Sequence, residues 1–306
     1  MKVAVVIPVR NEVLALGQVL SEIPTEAAPS SLPRKCRDVA ATRPTEAGTP
    51  AASFGEAKRA GVADPATSKY LVEGGIPPGG RGGSAERRSR RPTEAVHRII
   101  VVDNGSTDGS AQVAEEMGAR VVSEPTPGYG RACLAGIAAL EPEIDTVVFL
   151  DGDHSDYPEE IPLLLAPIAR GEADLVIGSR ITHAQRGSLT LPQRFGNRLA
   201  CSLINRFFGV RYTDLGPFRA IRRDALARLH MQDPAFGWTV EMQAKAARQG
   251  LRIVEIPVRY RRRIGRSKIS GTARGAICAG WAIVTTIVRI AAQPGVRCRT
   301  ETCAGS

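Results

Sequence analysis

Aromatic residues are scarce in this chain, 5% of 306, and no basic stretch is interleaved with them. Nucleic-acid binding by base stacking on aromatic platforms therefore finds no support. Cysteine is sparse and unpatterned. Cys36, Cys133, Cys201, Cys278, Cys298 and Cys303 form no C-x-x-C pair and have no histidine at zinc spacing, which excludes a zinc ribbon or dithiol redox motif and fits reduced thiols of a cytosolic protein. Long apolar runs are missing as well. Met1 to Arg10 holds too short an apolar run for a signal peptide and reads as a first strand. The longest late run, Ala276 to Val288, is closed by Arg289 and falls short of the ~20 residues that a membrane-spanning helix needs. No Gly-rich phosphate loop with a lysine follows the first strand, which counts against nucleotidyl transfer.

What is present is an ordinary globular composition, 43% hydrophobic and 24% charged, with a formal charge of +10. That excess favours an anionic partner such as a nucleotide or a lipid phosphate. Half of it lies in residues 28–95, where twelve Lys and Arg face seven Asp and Glu and where Gly, Pro, Ser, Arg and Ala dominate without periodicity. The tetrapeptide Pro-Thr-Glu-Ala occurs at Pro24, Pro44 and Pro92. Joining Ala27 directly to Val96 restores a helix, a short turn and a strand, the usual connection length. The expectation is one domain made of residues 1–27 and 96–292, a disordered or weakly folded insertion at 28–95 and a frayed tail at 293–306. A small basic binding arm is the alternative for the insertion.

Elsewhere strands and helices alternate. Val3–Ile7, Arg98–Asp103, Ala119–Ser123, Thr146–Leu150 and Ala173–Ile177 read as strands separated by helices, which predicts a mainly parallel, doubly wound α/β sheet with helices on both faces. Thr182–Thr190 reads as a polar loop, Thr213–Ala220 as an extended turn and Leu251–Tyr260 as a last strand. Right-handed crossovers put Pro8, Asp103, Asp151 and Gly178 on one rim, where such sheets bind ligands. There a buried strand runs into Asp151-Gly152-Asp153. Two hard oxygen ligands one residue apart suit Mg²⁺ or Mn²⁺ bridging to a diphosphate, the alternative being a strand that ends in a polar turn.

Five segments together resemble family 2 glycosyltransferases: Val6-Ile7-Pro8-Val9-Arg10-Asn11-Glu12, Val101–Gly109, Asp151-Gly152-Asp153, Gly178-Ser179-Arg180 and Arg263-Ile264-Gly265-Arg266-Ser267-Lys268. Within that family the chain is most similar to dolichyl- or polyprenyl-phosphate sugar transferases. The resemblance implies a GT-A fold and a UDP- or GDP-sugar donor, with Pro8, Arg10 and Glu12 lining the base pocket and Asp103 accepting from a uracil or guanine N–H. It implies that Asp151 and Asp153 carry Mg²⁺ or Mn²⁺, with Gly152 between them at the nucleotide sugar. Ser155 stands where related transferases often place Gln, which leaves water, Ser155 or Asp156 to complete the metal site.

A hydroxyl acceptor needs a general base, yet the Glu-Asp pair of hydroxyl-directed members is missing from Gly237-Trp238-Thr239-Val240-Glu241. A lipid monophosphate is already ionised near neutrality and needs only cations to hold it. Arg180, Arg194, Arg263 and Lys268 are the candidates for the acceptor phosphate, with Asp153, Arg180 and Lys268 at the reacting centre. Glu241 is a reserve base, Asp214 another, and Trp238 is expected to pack on the sugar. The last helix, about Thr272–Ala292, suits a membrane interface or the sheet equally. The expected protein is thus an inverting hexosyltransferase, acting on polyprenyl phosphate, peripheral at the cytoplasmic membrane face by its own contact or through a membrane partner. A soluble or cell-surface glycan acceptor, or a nucleotide-binding scaffold disabled by the insertion, are the alternatives.

Overall fold

The computed structural model describes residues 1–25, 96–265 and 273–293, with the side chains of 273–279 left aside. The expected insertion at 28–95, Lys268, and the tail from Pro294 onward lie outside the described residues. Strand β1 (Val3–Val9) is the centre of the first half. Its alternate residues face opposite ways, as a strand requires. Ala4 and Val6 enter one apolar cluster and Val3, Val5, Ile7 and Val9 the other. A strand buried on both faces needs helices on both, and the chain supplies them.

Strand β1 pairs in parallel with β2 (Arg98–Asp103) and with β4 (Thr146–Phe149), and β2 pairs with β3 (Arg120–Ser123). On one side lie α1 (Val13–Glu22), α2 (Ser110–Glu116) and α4 (Ile161–Ala169), which contribute Leu16, Val19, Ala114, Ile161, Leu164 and Leu165. On the other lie α3 (Tyr129–Ala138), α5 (Leu191–Phe208), α7 (Trp238–Arg248) and α8 (Ala273–Ala292). A short helix α6 (Arg223–Leu229) follows strand β6 (Arg219–Arg222).

The seven strands run β3-β2-β1-β4-β6-β5-β7, with β5 spanning Leu175–Ala184, β6 Arg219–Arg222 and β7 Ile253–Tyr260. Strand β6 is antiparallel to both β4 and β5, so β4 and β5 point the same way although they do not touch. Two expectations are corrected here. Residues 219–222 form a strand rather than the end of a turn, and β5 continues to Ala184 beside β7, past an irregularity between Ser179 and His183. At the opposite end of the sheet Thr25 and Val96 form a bridge, and Val96 N–H donates to the Pro24 carbonyl. The chain thus leaves and re-enters the sheet at one point.

Candidate active site at the carboxyl rim

The rim is assembled from the turns after β1, β2 and β4 and from the irregular middle of β5. Val9 is the register partner of Asp103, which sets the first two turns side by side. They are then laced together: Ser106 Oγ accepts from Asn11 N–H at 3.0 Å, Asn11 Oδ1 from Thr107 N–H at 2.7 Å, Ser110 Oγ from Glu12 N–H at 3.0 Å and Asp108 Oδ2 from Val13 N–H at 3.0 Å. Burial raises the Asp108 carboxyl, but the bonds from Ser110 and Val13 outweigh it and hold it below the usual carboxylate range. Asn104 reaches the other way, donating to the Glu124 and Thr126 carbonyls and accepting from Gly128 N–H. Among the described residues the Asp103 carboxylate accepts from Ser106 N–H alone, at 3.1 Å. Pro8, Arg10, Glu12 and Asp103 therefore belong to one wall.

The turn after β4 carries the carboxylates. Gly152 is required there, because a Cβ would meet Val9 Cγ2 at 2.9 Å. Asp151 Oδ1 accepts from the Tyr129 hydroxyl at 3.0 Å. Asp153 Oδ1 accepts from Ser155 N–H at 3.0 Å and Ser155 Oγ at 2.5 Å, while its Oδ2 faces Arg263 Nη1 at 3.2 Å. Asp156 is buried, and neither of its carboxylate oxygens has a hydrogen-bond partner among the described residues. Crowded anions raise one another. Burial first, then the charge of Asp153, pushes Asp151 up to about 7. Burial and the same two neighbours push Asp156 well above the carboxylate range.

That crowding fits a divalent cation. Among the described residues no group of three or more His, Cys, Asp or Glu forms a ready cage. Mg²⁺ and Mn²⁺ sites built on one or two carboxylates and a substrate phosphate need no such cage. Asp151 and Asp153 are the side chains that would hold the ion, and Asp156 is a buried carboxyl behind them.

The raised carboxyl sets a pH dependence. Between the ordinary carboxylate range and about pH 7 the folded protein keeps a proton on Asp151 that the unfolded chain has released. The associated stability is complete below about pH 4 and is lost as pH rises through about 7. The urea midpoint without added metal should fall over that window, and Asp151→Asn should flatten the fall. Parallel profiles for the two proteins would show that Asp151 titrates normally.

The basic segment after β7 closes over these turns. Arg261 N–H donates to the Ser155 carbonyl and Ile264 N–H to the Asp153 carbonyl, both at 2.9 Å. His154 between them adopts φ 63°, a left-handed conformation uncommon outside glycine. Its Nε2 lies 2.9 Å from Glu22 Oε1. Arg261 binds the same Glu22 and the His154 carbonyl, and it lies over the Tyr157 ring at 4.2 Å. Arg263 spans the two halves of the site: Nη2 donates to Glu12 Oε1 at 2.8 Å while Nη1 faces Asp153.

Strand β5 places Arg180 at its irregularity, just past Ser179, where Nε and Nη2 bind both oxygens of Asp214 at 2.8 and 2.7 Å and the N–H binds Oδ2 at 2.8 Å. Burial would lower the Arg180 pKa, but this bidentate pairing raises it further. Asp214 is fully buried, so it is a counter-ion here and not a free base.

Three expected site residues are placed elsewhere. Trp238 is fully buried against Phe149, ring centroids 4.7 Å apart, and Tyr129, 6.1 Å apart, so it supports the floor and does not stack on a sugar. Glu241 is 1% exposed. Its carboxylate accepts from the backbone N–H groups of Gln232 and Asp233 and pairs with Lys245 at 2.7 Å, which fixes a loop and leaves no base. That loop packs on Gly130, where any Cβ would collide with the Asp233 carbonyl, and so seats the helix that carries Tyr129. Arg194 is exposed on α5 and bonds to no rim side chain among the described residues.

Tyr129 was missed in the sequence. The signal for Tyr129 was its place in Gly128-Tyr129-Gly130, at the start of the helix following β3. Asp156 stood as one of three possible completions of the metal site, and nothing in its spacing set it apart.

A mixed seven-stranded sheet with helices on both faces and a paired-carboxylate turn at its rim is the GT-A glycosyltransferase architecture. A model of "Glycosyl transferase family 2" matches residues 86–229. The dolichyl-phosphate hexose transferase of Haloferax volcanii is 33% identical over 210 residues, 68% of this chain and 86% of that one. An uncharacterised glycosyltransferase of Mycobacterium tuberculosis is 40% identical over 188 residues, 60% of this chain and 84% of that one. The chain belongs to glycosyltransferase family 2. Among solved structures it is similar to glucosyl-3-phosphoglycerate synthase from Mycobacterium tuberculosis in complex with Mn²⁺, UDP-glucose and phosphoglyceric acid. That likeness has a TM-score of 0.60 at 19% identity and covers 96% of this chain and 81% of that one. Among the described residues no helix is long and apolar enough to cross a membrane.

Proposed function

We propose that this chain is a metal-dependent inverting hexosyltransferase that moves a hexose from a UDP- or GDP-sugar to a polyprenyl phosphate at the cytoplasmic face of a membrane. One observation carries the choice of acceptor. The two carboxylates considered as bases for a hydroxyl acceptor are both consumed, Asp214 by Arg180 and Glu241 by a loop and Lys245. A phosphate acceptor needs neither, because its own oxygen is the nucleophile. The kinship with a dolichyl-phosphate hexose transferase supports the same reading.

In this reading Pro8, Arg10, Glu12 and Asp103 hold the base. Asp151 and Asp153 hold Mg²⁺ or Mn²⁺, which when bound supplies positive charge to the departing diphosphate. Arg180 and Arg263 orient the anions from the acceptor side, and Lys268 belongs with them by its place in the motif. The acceptor oxygen forms the new bond to the sugar anomeric carbon as the bond to the diphosphate breaks on the opposite face, and inversion follows.

We also read residues 28–95 as an insertion, supported by the bridge between Thr25 and Val96 on either side of it. Incubation with Mn²⁺ or Mg²⁺, polyprenyl phosphate and radiolabelled UDP- and GDP-sugars tests the function. Label should move into butanol. Label that appears only in a water-soluble product would favour the second reading, a soluble phosphorylated acid, for which the structural neighbour bound to phosphoglyceric acid is the support.

A further inference from the structure

Six of the eleven exposed large apolar side chains among the described residues lie on two helices that pack against each other, α5 and α8. On α5, Leu191 is 78%, Phe195 71% and Leu199 43% exposed. Spaced four apart, they form one stripe along the helix, and Phe207 lies exposed near its end. On α8, Trp281 is 72% and Val288 49% exposed, seven residues apart and so on one face. The opposite faces are already used: Ala200, Cys201 and Ile204 of α5, with Ile287 and Ile290 of α8, are buried. The outer stripes are therefore not a core left open by chance.

Charge narrows what covers them. Neither helix contains a single Asp or Glu. Arg194, Arg198 and Arg206 are exposed along α5, one position round from the apolar stripe, and form no ion pair among the described residues. Apolar and cationic stripes side by side, with no carboxylate, are the pattern of a helix lying in an anionic lipid interface. A second copy of the same surface would bring arginine against arginine in a two-fold contact, which is repulsive.

The surface is also placed beside the acceptor side of the site. Asn197, on the inner side of α5, donates to the Thr213 carbonyl at 3.2 Å and accepts from Leu215 N–H at 2.8 Å. It thereby brackets Asp214, the residue that holds Arg180. The outer stripe is then about one helix diameter, ~10 Å, from that strap. A reciprocal Thr190–Gln193 capping box fixes the start of α5.

We infer that the outer faces of α5 and α8 dock on a bilayer surface rich in anionic lipid, with Leu191, Phe195, Leu199 and Trp281 entering the acyl boundary and the arginines meeting headgroup phosphates. This deepens the membrane reading above, but it is tested without turnover, so either can fail alone. The full chain should co-sediment with vesicles of phosphatidylcholine plus phosphatidylglycerol and only weakly with phosphatidylcholine alone. Arg198→Gln with Arg206→Gln should weaken partition about 30-fold, at roughly one headgroup charge each. Phe195→Ser with Trp281→Ser should weaken it at least about 10-fold at unchanged melting temperature. Equal partition of wild type and both variants would overturn the inference. So would a dimer in solution that dissociates in the Phe195→Ser, Trp281→Ser protein, since the face would then be covered by a second copy.

Discussion

Asp153→Asn should lower kcat/KM for sugar transfer by about 10³ or more while the protein stays folded. Asparagine keeps the shape of the side chain, and its oxygen can still accept from Ser155 N–H and Oγ, the two bonds that fix the turn. What is lost is one of two negative charges aimed at the diphosphate position, and electrostatic stabilisation of that kind is commonly worth 10²–10³ per group or more. Removing the charge also relieves Asp151, whose carboxyl is raised in part by Asp153. The variant should therefore melt no lower than wild type in the absence of metal. Activity retained in the lipid-extraction assay would overturn the paired-carboxylate reading of the site.

Asp214→Ala should cost about 3–5 kcal/mol of folding free energy, because it strands a guanidinium that is only 12% exposed after its buried partner is removed. Three separate bonds from Arg180 end on that one carboxylate. A domain of this size should melt about 10 °C lower. Arg180→Ala should be comparably harmful, since it leaves a fully buried carboxylate unpaired. The double variant should lose less than the sum of the two, the signature of a direct pair. Urea unfolding of the four proteins measures the cycle, and strict additivity would show that the pair is not coupled.

The parallel part of the sheet was legible because β1, β2 and β4 are short apolar runs with both faces buried, each followed by a polar turn. Strand β6 was not, because its sequence, Arg-Ala-Ile-Arg, begins with a charge that is fully buried. Arg219 is held there by the carbonyls of Gly216 and Thr239 and the amide of Gln243, partners that come together only in the folded protein. Residues 182–184 were read as loop because Thr182 and His183 are polar, although His183 and Ala184 pair with β7.

At the site, Asp151 and Asp153 were visible because two carboxylates at the end of a buried strand have little structural reason to be there. Trp238 was misplaced because an indole beside a glycine looks the same on a rim as in a core. The bond from Tyr129 to Asp151 joins residues 22 apart on two different turns, and the commitment of Glu241 depends on backbone donors. Neither leaves a mark in the linear pattern.

The antiparallel strand also fixes an order of assembly on the ribosome. By residue 149 the chain has all of β3-β2-β1-β4, a complete four-stranded parallel sheet. Strand β5 comes next but pairs with none of these. Both of its neighbours, β6 and β7, are made later. From Leu175 until Arg219 emerges, 44 residues further on at ≈ 5–20 residues per second, β5 has no partner for its backbone for some seconds. Its buried half, Leu-Val-Ile, is in that interval an unpaired apolar edge. Misfolding of the nascent chain should therefore concentrate in the second half of the sheet, on the side that carries Arg180.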